Sequence, residues 1–254
     1  LVFAWAGIIL LVRLIRLIRR RPLAPARARA RWCERISLTL AIIGVACLIW
    51  SAIEPYWPEV THTQVPCAKL SAGAKPIRIV HISDTHCEDI ARAETQLPSL
   101  IAEQKPDLIC FTGDALTHKA GLRHFQKLMD ELTRIAPVYA VHGNWEQKSW
   151  IRGVDFYGDA PVHVLDSRAE RVVINGQPIW LAGTHQYSQN LDGALAEVNT
   201  DEPVVLLHHM PDVILKLPGR GVDLCLSGHT HGGQIALPFY GALTTLTPTG
   251  KRFE

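Results

Sequence analysis

None of the six cysteines, Cys33, Cys47, Cys67, Cys87, Cys110 and Cys225, belongs to a CxxC pair, and they are scattered along the 254 residues. That spacing excludes a zinc ribbon and a disulfide scaffold. Most sit in apolar runs, where a small buried thiol is the ordinary reading, and the redox compartment stays open. Net charge is scarce as well, at +2. It hides an asymmetry: residues 1–35 hold nine Arg against Glu34, a net of +8, so the remainder carries 17 basic and 23 acidic side chains. An acidic remainder argues against a basic nucleic-acid-binding domain, and no nucleic-acid partner is expected. What the chain has in quantity is apolar material, 48% of its residues, enough for one sizeable core and incompatible with wholesale disorder.

Eighteen residues from Ile36 to Ile53, ISLTLAIIGVACLIWSAI, carry no charge. As a helix rising about 1.5 Å per residue they span roughly 27 Å, close to a bilayer core. The stretch is read as a transmembrane helix, with Trp50, Tyr56 and Trp57 as an interfacial belt; a buried core helix or an uncleaved signal segment is the alternative. Leu1 to Val12 is also apolar and is read as the tail of a first span. The intervening RLIRLIRRRPLAPARARARWCER places this loop on the cytoplasmic side by its Arg content, which sends everything after Ile53 to the extracytoplasmic face of the cell membrane. Arg13, Arg16 and Arg19/Arg20 recur at helical spacing beside Leu and Ile, as in a helix lying on anionic lipid, or else form a solvated charge run.

The chain therefore divides into a membrane anchor over 1–53, a linker over 54–76 with four prolines, and an α/β domain over 77–254. In that domain short apolar runs alternate with helical patterns. IRIVHIS (77–83), DLICFTG (107–113), VYAVHG (138–143), PIWLAGT (178–184), VVLLHH (204–209) and DLCLSG (223–228) are predicted strands. Ala91–Gln104, Leu122–Ile135 and Leu191–Val198 are predicted helices.

Five of the strand ends close with metal-ligand residue types: Asp84-Thr85-His86, Gly113-Asp114, Gly143-Asn144, His208-His209 and Gly228-His229-Thr230-His231. Open α/β sheets bind ligands at strand ends. A single buried His or Asp is ordinarily structural, but five such clusters mixing carboxylate, imidazole and carboxamide point to one shared site. The N/O set suits divalent metals such as Mn²⁺, Fe²⁺ or Zn²⁺. Glycines beside Asp114, Asn144 and His229 let the backbone turn sharply next to an ion or anion.

This order of blocks, DxH, GD, GNx(E), His and GHTHGGQ, resembles the calcineurin-like metallophosphoesterase family over about residues 77–237. IEPYWPEV and GHTHGGQIALPFYGALTTL carry a closer likeness to its membrane-associated branch of YaeI and YkuE type, which includes UDP-2,3-diacylglucosamine hydrolases. The resemblance implies a four-layer α/β/β/α sandwich behind N-terminal transmembrane helices, truncated at its C-terminus in this chain. It implies two metal ions, one held by Asp84, His86 and His231, the other by Asn144, His209 and His229, with Asp114 bridging. His209 is preferred to His208 because His209-Met210-Pro211 fits the family's His-x-Pro pattern. Asp114 and Asn144 are thereby also catalytic, and Asn144 and Trp145 lie against the substrate. Two such ions activate water as hydroxide near neutral pH and stabilise an in-line displacement at phosphorus.

One position departs from the pattern. Where most members have a His after Gly-Asn, this chain has Trp145, and indole cannot act as a general acid. The enzyme is expected to cleave bonds whose leaving group departs as a stable anion, favouring pyrophosphates over simple phosphomonoesters. His118, His142 and His185 are the candidate substitute proton donors, with His118 preferred; His81 and His163 are given no role. Trp145, Trp150 and Phe156 either form an apolar wall for a lipid-linked substrate or simply pack beside the site. The expected function is thus hydrolysis of a phosphodiester or a nucleotide-linked lipid, with UDP-2,3-diacylglucosamine giving UMP and lipid X as the specific version. UDP-sugars are cytoplasmic, so that version places the domain on the cytoplasmic face instead. A general envelope phosphodiesterase and a metal-binding scaffold without catalysis are the alternatives, and the chain does not reveal an oligomeric state.

Overall fold

Residues 28–185, 190–237, 240–245 and 247–253 are described by a computed structural model. The apolar stretch Leu1–Val12 and the arginines Arg13, Arg16, Arg19 and Arg20 lie outside the described residues. Ala28–Ile53 form one helix, α1, of 26 residues, about 39 Å at the α-helical rise. It is long and apolar enough to cross a membrane. Its large side chains face outward, with Leu48 71% and Ile42 61% exposed. Ser37 Oγ donates to the Cys33 carbonyl and Ser51 Oγ to that of Leu48, so both hydroxyls are satisfied by the helix itself. Residues up to Pro58 and those from Glu59 onward form separate compact units.

The second unit is built on two four-stranded sheets. In the first, β1 (Ile79–Ile82), β2 (Leu108–Phe111), β3 (Val138–Ala140) and β4 (Val162–Val164) run parallel in that order. The second has the order β5 (Arg168–Ile174), β6 (Gln177–Thr184), β7 (Val204–His208), β8 (Leu224–Leu226). Here β5 and β6 are an antiparallel hairpin, while β6, β7 and β8 are parallel. A third, two-stranded ribbon pairs β9 (Gln234–Leu237) with β10 (Gly241–Thr244). Parallel neighbours need crossovers. Helix α2 (Leu97–Gln104) joins β1 to β2, α3 (Leu122–Thr133) joins β2 to β3, and α4 (Leu191–Leu195) joins β6 to β7.

Strand alternation sorts the apolar side chains into layers. Ile109 and Phe111 of β2 pack on Ile101 of α2 and on Phe125, Leu128, Met129 and Leu132 of α3, a stripe at i, i+3, i+4 and i+7. The alternate residues Leu108 and Cys110 face the other way. With Tyr139 they meet Ile179 and Leu181 of β6 and Val205 and Leu207 of β7, making the core between the sheets. Ala182 and Leu206, on the far side of the second sheet, pack on Leu191 of α4 and Val213 of the 3₁₀ turn Pro211–Lys216. These contacts are the expected four layers: helices, sheet, sheet, helices.

Helix bounds differ from expectation for local reasons. The pattern predicted from Ala91 opens as a 3₁₀ turn, Ala93–Thr95, and α2 starts only at Leu97. Pro98 sits in the first turn, where its missing N–H costs nothing; deeper in a longer helix it would remove a bond and clash. The other two helices end two and three residues early, at Thr133 and Leu195. The expected linker is largely irregular, but its later part is tied to the second sheet. Lys69 Nζ bonds Asp223 Oδ2 at 2.7 Å and the Gly221 carbonyl at 3.0 Å, and the Ser71 N–H donates to Gln177 Oε1.

Candidate metal centre

The C-terminal ends of β1, β2, β3, β7 and β8 converge, and the chain leaves β1, β2 and β8 in left-handed conformations. Asp84, His86, Asp114, His229 and His231 all have positive φ, between 41° and 70°. For non-glycine residues each costs on the order of 1 kcal/mol or more, which is tolerated where surrounding structure fixes it. The loops hold one another: Asp84 N–H donates to the Gly113 carbonyl, His86 N–H to that of Asp114, and Gly228 N–H to that of His209. Two glycines allow this closeness. A Cβ at Gly143 would overlap Asp114 Oδ1, and one at Gly228 would overlap Ser83 Oγ and Asp84 Oδ2.

The convergence gathers two sets of ligand atoms. Asp84, His86 and His231 form one trio and Asp114, His209 and His229 another, each set of atoms lying within 4.8 Å. His231 Nε2 is 3.3 Å from Asp84 Oδ1. Asp114 Oδ2 faces both trios, 3.1 Å from His209 Nε2 and 3.7 Å from His86 Nε2. Asn144 Oδ1 adds to the second trio, 2.9 Å from His229 Nδ1 and 3.1 Å from His209 Nε2. The ring of His209 is oriented by its other nitrogen, since Nδ1 donates to the Thr112 carbonyl at 2.7 Å. That bond leaves a lone pair on Nε2 of the neutral ring, pointing at two oxygens that also carry lone pairs. Converging acceptors repel unless a cation lies among them. Asp84 Oδ1 makes the same point, being buried without a hydrogen-bond donor. A buried unsatisfied carboxylate oxygen is costly, and the mixed oxygen and imidazole set fits divalent ions.

The electrostatics follow. Burial works to lower the His209 pKa, but the hydrogen bond and charge of Asp114 outweigh it and raise it, so a proton on Nε2 and a cation among the acceptors are alternative ways of relieving the same convergence. Burial likewise works to raise Asp114, and His209 brings it below the usual carboxylate range. Burial dominates at His86 and His229, which are both pushed down.

Neighbouring side chains divide clearly. His208 turns to the far side of the sheet, where Nδ1 meets Thr184 Oγ1 at 2.6 Å; burial there lowers its pKa to about 4. His209 is the one of the pair brought among the acceptors. The Trp145 backbone N–H donates to Asp114 Oδ1 at 2.8 Å, and its ring meets His86 edge-on at 5.0 Å. Trp145 therefore stands against the first trio. His118 lies outside both trios, exposed on the wall of an open pocket of about 490 Å³ shared with Lys119 and Trp150. His142 pairs with Asp166 at 2.6 Å, and His185 Nε2 with Gln147 Nε2 at 2.7 Å. The expected wall of three aromatics is corrected at Phe156, which is buried in the helix-side core and packs on His142 and Tyr157. An aromatic in an irregular segment carries no periodicity to say which way it faces.

Glu146 is the acidic position of the GNx(E) block, where the family pattern has it orient the histidine that Trp145 replaces; here it holds backbone instead. Its buried carboxylate accepts from the N–H groups of Asp114 at 3.1 Å, Ala115 at 2.6 Å and Gly143 at 2.7 Å. It thereby clamps the loops after β2 and β3 together. Burial raises its pKa, with the Asp114 charge adding to the effect. The signal for it in the sequence is that acidic residue two places after Asn144.

Comparison with known proteins agrees with this geometry. Residues 77–233 match the calcineurin-like phosphoesterase family. The chain is 29% identical over 214 residues to the uncharacterized metallophosphoesterase YkuE of Bacillus subtilis, covering 78% of this chain and 73% of that protein. It is 28% identical over 198 residues to the phosphodiesterase YaeI of Escherichia coli, covering 74% and 72%. It is also 25% identical over 220 residues to a transmembrane protein with metallophosphoesterase domain from Danio rerio, covering 79% of this chain and 49% of that longer protein. The two trios sit at the strand ends of a domain built on the matched segment, and the chain belongs to the calcineurin-like phosphoesterase family of metal-dependent phosphoric ester hydrolases.

Proposed function

We propose that this chain is a membrane-anchored phosphoesterase with two divalent ions, cleaving phosphodiester or pyrophosphate bonds whose leaving group departs as a stable anion. Asp84, His86 and His231 hold one ion, Asn144, His209 and His229 the other, and Asp114 lies between them. The observation that carries this reading is the position of Asp114 Oδ2 within 4 Å of an imidazole nitrogen from each trio, next to the unpartnered Asp84 Oδ1. When bound, two such ions polarise the phosphoryl oxygens and acidify a water.

The chain's own groups do the rest. Thr112 fixes the His209 tautomer through its carbonyl. Glu146 holds the backbone of Asp114 and Gly143 in place, so the acceptors need no reorganisation during reaction. Hydrolysis makes a P–O bond to a water oxygen and breaks the one to the leaving group, which takes the bonding pair. The Trp145 indole N–H can donate a hydrogen bond but has no proton to give up. An alkoxide leaving group is therefore disfavoured, whereas a phosphate oxygen leaves unprotonated and the water's proton passes to solvent.

Within that class the reading extends to UDP-2,3-diacylglucosamine, cleaved to UMP and the acylated sugar phosphate. Support comes from the apolar helix α1, the indole at Trp145 and the resemblance of the surrounding motifs. The test is hydrolysis of that substrate beside bis(p-nitrophenyl) phosphate by the full chain in detergent with Mn²⁺. Release of UMP with slow cleavage of the plain diester is the expected outcome. Turnover of the plain diester alone would leave a broad envelope phosphodiesterase, and turnover of neither would leave a metal-binding scaffold.

A further inference from the structure

Aromatic rings continue outward from the first trio. Trp145 meets His86, and Trp150 meets Trp145 edge-on at 6.3 Å. Trp150 is 47% exposed and, with His118 and Lys119, lines the open pocket. Lys148 Nζ lies 5.7 Å from the Trp145 ring centroid. Trp150 thus presents an exposed indole to the pocket, with His118 and Lys119 beside it and Lys148 over the neighbouring Trp145 ring.

We propose that this pocket is a subsite for the nucleoside half of a nucleotide-bearing substrate, with the base on the Trp150 indole and its phosphate toward Lys119 and Lys148. The proposal rests on the phosphoesterase reading above and specifies what its leaving group is. Three considerations favour a nucleotide over an acyl chain. A methylene gains its roughly 0.8 kcal/mol only where water is excluded, and an open pocket edged by His118 and Lys119 does not exclude it. A planar base needs only one free ring face, and stacking on an aromatic side chain contributes about 1–3 kcal/mol. The cationic groups complement a phosphate, and a nucleoside monophosphate leaves without needing a proton, which is what the indole at Trp145 demands.

The test uses the full chain loaded with Mn²⁺ in detergent, with calorimetric binding of UMP, AMP and ribose 5-phosphate. Both nucleotides are expected to bind at least tenfold tighter than ribose 5-phosphate. Trp150→Ala should abolish that preference while leaving ribose 5-phosphate affinity as it was, and Trp150→Phe should keep most of it. Equal affinities for all three ligands, or a base preference that survives Trp150→Ala, would overturn the subsite. So would a loss in Trp150→Ala that falls equally on ribose 5-phosphate, since that is a general disturbance of the site. Turnover of bis(p-nitrophenyl) phosphate by the unaltered protein separates the two readings. Turnover without base preference removes the subsite alone, and base preference without turnover removes the phosphoesterase reading alone.

Discussion

Trp145 and the His208–His209 pair are where single side chains decide the chemistry. Trp145 lies against His86 with a ring that cannot give up a proton, so Trp145→His should raise turnover of alkyl phosphodiesters by about 10²-fold, the low end for general-acid catalysis. Pyrophosphate turnover should change far less in the same comparison; equal gains on both would contradict this account of the position. For the pair, His209→Gln should lower turnover by about 10³-fold or more and reduce the bound metal. His208→Gln should instead show itself in thermal stability, because its partner Thr184 is buried on the other side of the sheet. That Asp, Asn and His side chains would gather at one place was legible in the sequence because they recur at strand ends, where apolar alternation breaks off. Phe156 was not, because nothing in an irregular segment separates an aromatic that packs inward from one that faces a pocket.

At the scale of elements, the site depends on loops held by their backbone. Glu146→Ala would strip three buried N–H groups of their acceptor, at about 1–3 kcal/mol for each one left unsatisfied. Such supporting partners are worth roughly 10–100-fold in metal affinity. The variant should therefore bind Mn²⁺ at least tenfold more weakly in a competition titration, and Glu146→Gln, which keeps an acceptor oxygen, should recover part of the loss. Unchanged affinity in Glu146→Ala would show that the clamp does not matter. The six expected strands are all present, because buried parallel strands are nearly continuous apolar runs. Strands β4, β5, β9 and β10 escaped the reading. β5 is an edge strand with Arg168, Glu170 and Arg171, and its charges mask the period. Its turn was nevertheless visible as Asn175-Gly176, both at positive φ, the two-residue hairpin signature.

For the whole molecule, the layered domain and the apolar helix make separate claims. Helix α1 buries almost nothing within its own unit, an arrangement that suits lipid rather than water. The full chain should stay with membranes through alkaline carbonate extraction, and a chain lacking residues 1–58 should be released. The arginine content and the UDP-sugar reading make opposite predictions. With the arginine-rich segment on the cytoplasmic side, protease added outside intact spheroplasts digests the catalytic domain, which would leave the broad envelope phosphodiesterase. Protection from that protease would place the domain in the cytoplasm and favour a UDP-sugar substrate. Sequence could suggest this orientation only from charge asymmetry, since the arginines up to Arg27 fall outside the described residues.

The most direct test of the central claim is to measure bound metal and turnover together. The purified full chain is loaded with Mn²⁺, its metal content is determined by elemental analysis, and bis(p-nitrophenyl) phosphate hydrolysis is followed, with Asp114→Ala alongside. Two ions per chain, with turnover lost by at least 10³-fold and fewer than two ions retained in Asp114→Ala, is the predicted result. A single ion per chain, or turnover that survives the loss of Asp114, would contradict a two-ion site bridged by that carboxylate.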